Sequence, residues 1–166
     1  MPVTRLDRKA DDSMSADVKV ALAADHGGFE LKEAVKKFFD SNGISYTDFG
    51  IYAPERCDYP VLAEPACLSV RSGECTAAVL ICGTGIGMSI AANKFRGIRA
   101  ACCTDTYSAR MTRQHNDANV LCLGERVIGE GLALDIVKVF LETCFDGGRH
   151  AQRVGLIAKI EGRNFK

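Results

Sequence analysis

Ala77-Ala78-Val79-Leu80-Ile81-Cys82-Gly83-Thr84-Gly85-Ile86-Gly87-Met88-Ser89-Ile90-Ala91-Ala92-Asn93-Lys94 is the stretch on which the reading of this chain turns. A short apolar run stopped by a glycine-rich turn predicts a strand buried on both faces of a sheet. Glycine at every second position lets the backbone fold tightly and present several N–H groups side by side. From Met88 to Phe95 the spacing suits a helix, whose positive N-terminal end faces whatever the turn encloses. Cys82 and Thr84 stand at the junction, where that end would favour a thiolate. A reactive sulfur beside a nest of amide donors is the chemical expectation that follows.

Two better-known phosphate loops do not fit. A dinucleotide-binding fingerprint beginning at Gly83 and Gly85 needs a third glycine at position 88, which is Met88. No Gly-Lys-Ser/Thr follows, so the turn is not a nucleoside-triphosphate loop either. What remains is a general anion or oxyanion nest, with a ligand-free tight turn as the plainer alternative. Cys82 taken alone reads first as a core cysteine; its place before a nest and a helix N-terminus brings the catalytic reading level with that one.

Outward from this stretch, strand-like and helix-like segments alternate. Val18 to Ala24 reads as a buried strand ending at Asp25-His26-Gly27-Gly28. Leu31, Ala34, Val35, Phe38 and Phe39 then mark one face of a helix closed by Gly43. Ile44 to Phe49 is a second strand, followed by a loop through Pro54 to Asp58-Tyr59-Pro60 and a helix from Val61 to Val70. Beyond the glycine turn come a strand over Gly97 to Cys103, a helix from Thr106 to Gln114, and the loop His115-Asn116-Asp117-Ala118-Asn119. A strand from Val120 to Leu123, a helix from Leu132 to Leu141, a Gly147-Gly148 break and a helix from Arg149 to Glu161 complete the chain. Five strands alternating with helices predict an α/β fold with a parallel sheet covered on both faces. Ligands in such sheets bind outside the carboxyl ends of the strands. Asp25, His26, Asp58, Tyr59, Cys82, Thr84 and Asp105 all fall there, whereas His115 precedes its strand.

Composition bounds the function. A chain of 166 residues with a formal net charge of +0 supplies one substantial core and no bias toward nucleic acid or an anionic membrane. No membrane span and no signal-peptide core is visible. Eight cysteines, at 57, 67, 75, 82, 102, 103, 122 and 144, form no CxxC pair and no metal-ligand cluster. Cys82, Cys102, Cys103 and Cys122 lie in apolar runs and read as small buried hydrophobes. A reduced cytoplasmic protein follows, without disulfides. Residues 1–17 are polar, mixed in charge and aperiodic, the pattern of a disordered extension.

Among charged candidates, His26 and His115 lie in polar segments, and His150 beside Arg149 reads as incidental. Arg149 and Arg153 are four apart, hence on one helical face; they are either a solvated basic face or a clamp for a phosphate.

Taken together these residues resemble the type B ribose-5-phosphate isomerase family, which also holds galactose-6-phosphate and allose-6-phosphate isomerases. The matching pieces are Asp25-His26-Gly27-Gly28, Asp58-Tyr59-Pro60, Cys82 to Gly87, and Ile90-Ala91-Ala92-Asn93-Lys94. Arg113-Gln114-His115-Asn116-Asp117, Gly124-Glu125-Arg126-Val127, and Gly147-Gly148-Arg149-His150 with Arg153 continue them. The resemblance runs in order from about Val18 to Glu161. It implies a Rossmann-like three-layer α/β/α fold in residues 18–166, a C-terminal helix reaching a partner subunit, and a homodimer with its active site between subunits. Dimer against tetramer stays open.

The resemblance also implies roles. Cys82 would move the proton between neighbouring carbons of a sugar phosphate, with Thr84 hydrogen-bonding beside it. Family members of another kind carry a glutamate where this chain has Met88, so the thiol is the base here. The amides of Gly83, Gly85 and Gly87, with the side chain of Asn116, would hold the cis-enediolate; such donors are worth ~2.7–4 kcal/mol each in other enzymes. His115 would open the sugar ring. Asp25 and Tyr59 would take hydroxyls, and His26, Arg126, Arg149 and Arg153 the phosphate. No metal and no organic cofactor is implied, since the substrate carbonyl is the electron sink. The expected reaction interconverts D-ribose 5-phosphate and D-ribulose 5-phosphate. A six-carbon sugar phosphate is the alternative substrate, and a non-catalytic sugar-phosphate sensor the alternative class.

Overall fold

The computed structural model describes residues 18–164; the expectation of a disordered extension over 1–17 lies outside them. Eleven elements follow one another as β1 (Lys19–Ala24), α1 (Phe29–Asn42), β2 (Ser45–Asp48), α2 (Tyr59–Ser72), β3 (Ala77–Cys82) and α3 (Ile86–Ala92), then β4 (Ala100–Cys102), α4 (Thr106–Asn116), β5 (Val120–Gly124), α5 (Glu130–Glu142) and α6 (Arg149–Asn164). The sheet has the order β2-β1-β3-β5-β4, and every pairing is parallel. The α/β fold expected from alternation is therefore the one observed.

Alternation along each central strand divides the core in two. Val20, Leu22, Val79, Ile81, Leu121 and Leu123 face one layer, packed with Leu31, Val35 and Phe39 of α1, Ala109 of α4, and Ile136, Val137 and Phe140 of α5. Ala21, Ala23, Ala78, Leu80, Cys82, Val120 and Cys122 face the other, against Ala63, Ala66 and Cys67 of α2 and Met88 and Ala92 of α3. Strands buried on both faces need apolar residues at consecutive positions, which is the pattern of 77–82.

β1 and β3 are neighbours whose chains leave toward opposite sides of the sheet. Their carboxyl ends thus form the crevice where open α/β sheets bind ligands. Asp25 N–H donates to the Ile81 carbonyl at 3.2 Å, which draws the two end loops together.

Several boundaries differ from the sequence expectation. β4 is only three residues long, because polar side chains take the backbone groups around it. Asn93 Oδ1 accepts from Ala100 N–H while its Nδ2 donates to the Ala100 carbonyl, and Asn119 Oδ1 accepts from Arg99 N–H. Cys102, expected in the core, is exposed at the end of this edge strand. Tyr59 opens α2 rather than ending a loop, with Pro60 in the first turn, where its missing N–H costs nothing. α3 starts at Ile86, directly after a left-handed Gly85. His115 and Asn116 belong to the last turn of α4, which ends only at Asp117 in the left-handed region (φ 46°). Arg99 makes that ending possible by donating to the Asp117 carbonyl and carboxylate.

Candidate active site

At the carboxyl end of β3 the chain turns through Gly83-Thr84-Gly85 into α3. Cys82 is almost fully buried, and its Sγ accepts the Gly85 N–H at 3.1 Å. That bond needs the left-handed Gly85 (φ 77°), whose side a Cβ would share with Cys102 Sγ only 2.8 Å away. Thr84 Oγ1 accepts from Ile86 N–H at 3.4 Å, and Cys102 donates its thiol proton toward the Thr84 carbonyl at 3.6 Å. Burial, with neighbouring Cys82 adding to it, pushes the Cys102 thiol up.

The β1 loop packs directly on this turn. Asp25 is buried and its Oδ1 accepts from Gly27 N–H at 2.9 Å, closing a tight turn beneath Gly83. His26 is exposed, and its Nδ1 accepts the Cys57 N–H at 3.5 Å. The Tyr59 ring stands against Gly87, close enough that a Cβ there would lie 2.7 Å from it. From the loop after β5, Arg126 N–H donates to the Gly83 carbonyl at 3.1 Å and its side chain lies over Gly83. Asp25, His26, Tyr59, Cys82, Gly83, Thr84, Gly85, Gly87 and Arg126 thus come together at one edge of the sheet.

Four sequence candidates do not join them within the chain. α4 runs antiparallel to the strands, so His115 and Asn116 reach the amino edge, where Asn119 meets Ala78 at the start of β3. Arg149 and Arg153 lie on α6, which packs beside α4, and Asp146 N–H donates to the Gln114 carbonyl at 3.0 Å. A second group forms there. The His115 and His150 rings stack 4.2 Å apart at an interplanar angle of 5°, and Arg149 Nε donates to His150 Nε2 at 3.3 Å. His150, read as incidental in the sequence, is buried, and nothing in its neighbours along the chain signals the stack. Burial first, then the charges of His115, Arg149 and Arg153, hold its imidazole below the ordinary histidine range.

His115, Asp146 and His150 each bring one potential ligand atom within 4.8 Å of the others. The set suits a cation poorly. Parallel rings aim their in-plane lone pairs side by side instead of at a common point, and Arg149 occupies one of the nitrogens.

Residues 20–157 match the Ribose/Galactose Isomerase family. The chain is 49% identical over 145 residues to ribose-5-phosphate isomerase B of Escherichia coli, covering 87% of this chain and 97% of that protein. It is 40% identical over 146 residues to D-erythrulose-4-phosphate isomerase of Pectobacterium atrosepticum, covering 87% and 95%. A solved structure of ribose-5-phosphate isomerase B from Clostridium thermocellum superposes with a TM-score of 0.87 at 52% identity, covering 88% of this chain and 99% of that one.

Proposed function

The chain belongs to the Ribose/Galactose Isomerase family and is an isomerase, and from that premise we propose that it interconverts D-ribose 5-phosphate and D-ribulose 5-phosphate. One observation carries the reading. Cys82 places a sulfur, hydrogen-bonded by the Gly85 amide, at the β1/β3 crevice beside Asp25, Tyr59 and the glycine turn 83–87.

Each step asks little of the residues present. His115 protonates the ring oxygen and takes the proton of the anomeric hydroxyl, opening the sugar. Cys82 as thiolate removes the proton from C2, and the electron pair moves onto the C1 carbonyl to give a cis-enediolate. The amides of Gly83, Gly85 and Gly87 and the Asn116 side chain hold that negative oxygen. A proton passes from the C2 hydroxyl to the C1 oxygen, and the same thiol returns its own proton to C1, leaving a hydroxyl at C1 and the ketone at C2. Asp25 and Tyr59 orient hydroxyls, while His26, Arg126, Arg149 and Arg153 bind the phosphate dianion.

His115, Asn116, Arg149 and Arg153 sit at the amino edge and Cys82 at the carboxyl edge, so the reading requires a homodimer in which a partner supplies the first set. Support comes from α6, which is exposed along nearly its whole length and carries Leu156, Ile157 and Ile160 on its surface. Residues 18–166 then act as one domain whose last helix reaches the partner. All eight cysteines are unpaired, consistent with a reducing cytoplasm and with a place in the pentose phosphate pathway. No helix among the described residues is long and apolar enough to cross a membrane.

Incubating the protein with ribose 5-phosphate in deuterium oxide is the direct test. Ketose formation with deuterium entering from solvent supports the reading. Faster turnover of allose 6-phosphate, galactose 6-phosphate or erythrulose 4-phosphate in the same assay would move the substrate assignment. Binding without exchange would leave only a sensor.

A further inference from the structure

Helix α1 starts without a cap of its own. Gly28 stands at the N-cap position and offers no side chain. Nothing larger fits, because a Cβ on Gly28 would lie 2.7 Å from the backbone carbon of Ile81. The amide of Leu31, third in the helix, therefore lacks the acceptor that a serine, threonine or aspartate cap would supply. Glu125 fills that place from 94 residues away, its Oε2 accepting the Leu31 N–H at 2.8 Å. Its own N–H donates to the Cys82 carbonyl at 3.0 Å, and the next amide, Arg126, donates to the Gly83 carbonyl at 3.1 Å. Gly28 N–H in turn donates to the Asp25 carbonyl at 3.1 Å. Three end loops, after β1, β3 and β5, thus meet at one residue.

We propose that Glu125 is a positioning residue for the sugar phosphate: by capping α1 across the sheet it holds His26 and Arg126 at a fixed separation. The proposal rests on the phosphate roles given to those two residues above. A carboxylate at a helix N-terminus gains a charge-assisted bond and a favourable dipole, so the cap is stronger than a neutral one. It also closes the α1 N-terminus to a second anion, leaving the phosphate to His26 and the arginines.

Glu125→Ala and Glu125→Gln separate positioning from simple folding. Removing the acceptor raises KM for ribose 5-phosphate roughly five- to tenfold, while kcat stays within about twofold, because the bonds to Cys82 and Gly83 come from backbone amides that survive. Glu125→Gln keeps a carbonyl oxygen for Leu31 and recovers most of the lost KM. Hydrogen exchange at the Leu31 amide accelerates in the alanine variant and stays slow in the glutamine variant. A wild-type KM in Glu125→Ala, or a glutamine variant as impaired as alanine, overturns the proposal. Where Glu125→Ala does not fold, Glu125→Asp, one methylene too short to reach Leu31, makes the same comparison. If the wild-type protein isomerises no sugar phosphate, the functional reading fails separately. The cap is then judged on Leu31 exchange and on the affinity for inorganic phosphate, and unchanged values in Glu125→Ala overturn it.

Discussion

Cys82 and Cys102 close two strands of one sheet, yet their sulfurs meet opposite groups. The Cys82 sulfur accepts an amide proton, whereas the Cys102 sulfur donates toward the Thr84 carbonyl. An accepted hydrogen bond favours sulfur carrying negative charge; a carbonyl oxygen opposite sulfur favours the neutral thiol. Cys67 and Cys103 lie further toward the neutral side, burial pushing each up to about 12. Of these four cysteines, Cys82 is the one whose sulfur accepts an amide proton at the glycine turn, the geometry on which the proposed proton transfer relies. Cys82→Ala should lower kcat on the order of 10²–10⁴-fold, the usual worth of a positioned base, with the dissociation constant for ribose 5-phosphate within about threefold. Cys102→Ser, which keeps a donor for Thr84, should hold kcat within about threefold. Steady-state kinetics with calorimetric binding checks both, and near-normal turnover in Cys82→Ala would remove the thiolate mechanism.

The elements show what periodicity reads and what it misses. Leu31, Val35 and Phe39 mark the buried face of α1 in the sequence as they do in the fold. Lys32 does not announce itself, because a lysine next to an apolar stripe is ordinarily a solvated edge. It is fully buried here, with Nζ 2.6 Å from Asp48 Oδ2 and 3.3 Å from Glu33, and 5.7 and 5.5 Å from the ring centroids of Phe29 and Tyr52. Its partner lies at the end of β2, visible only once β1 and β2 are paired. Burial alone would raise the Asp48 carboxyl, but Lys32 and the Gly50 amide outweigh it and hold the group below its ordinary value. A carboxylate lowered by folding contributes stability above its unfolded value, 3.8, and loses that contribution as pH falls through the folded value. Asp48→Ala should cost about 1.5–3 kcal/mol in urea unfolding at pH 7, since it leaves the buried ammonium with Glu33 as its carboxylate, and should flatten the acid limb below about pH 4. Lys32→Met removes the charge with its partner still able to reach Lys36 at 3.2 Å, and should cost less. A larger loss in Lys32→Met than in Asp48→Ala would refute the argument that the under-paired buried charge sets the cost.

For the whole molecule, the parallel sheet was legible because strands buried on both faces need unbroken apolar runs, and 20–24, 77–82 and 120–123 supply them. Strand order was not, since nothing local to β1 or β3 states that they are neighbours. The division of candidate residues between two edges was legible, since His115 precedes its strand in the sequence; what stayed hidden is that it is helical, because Asp117, paired with Arg99, lets α4 run one residue beyond it. That division has a consequence an isolated chain cannot show. If each site combines the Cys82 edge of one subunit with the His115 edge of another, mixing two inactive proteins must restore activity. In a heterodimer of Cys82→Ala with His115→Ala, one site unites both substitutions and the other receives an intact cysteine and an intact histidine. Random exchange of subunits makes half of the dimers mixed, so co-refolded variants should recover about one quarter of wild-type turnover on ribose 5-phosphate, each variant alone remaining near background. Recovery should disappear when the two substitutions sit on the same chain and that chain is mixed with Cys82→Ala. Should the first mixture stay inactive while size-exclusion chromatography shows dimers exchanging freely, His115 and Cys82 would not share a site across subunits, and the ring-opening assignment would fall with the interface.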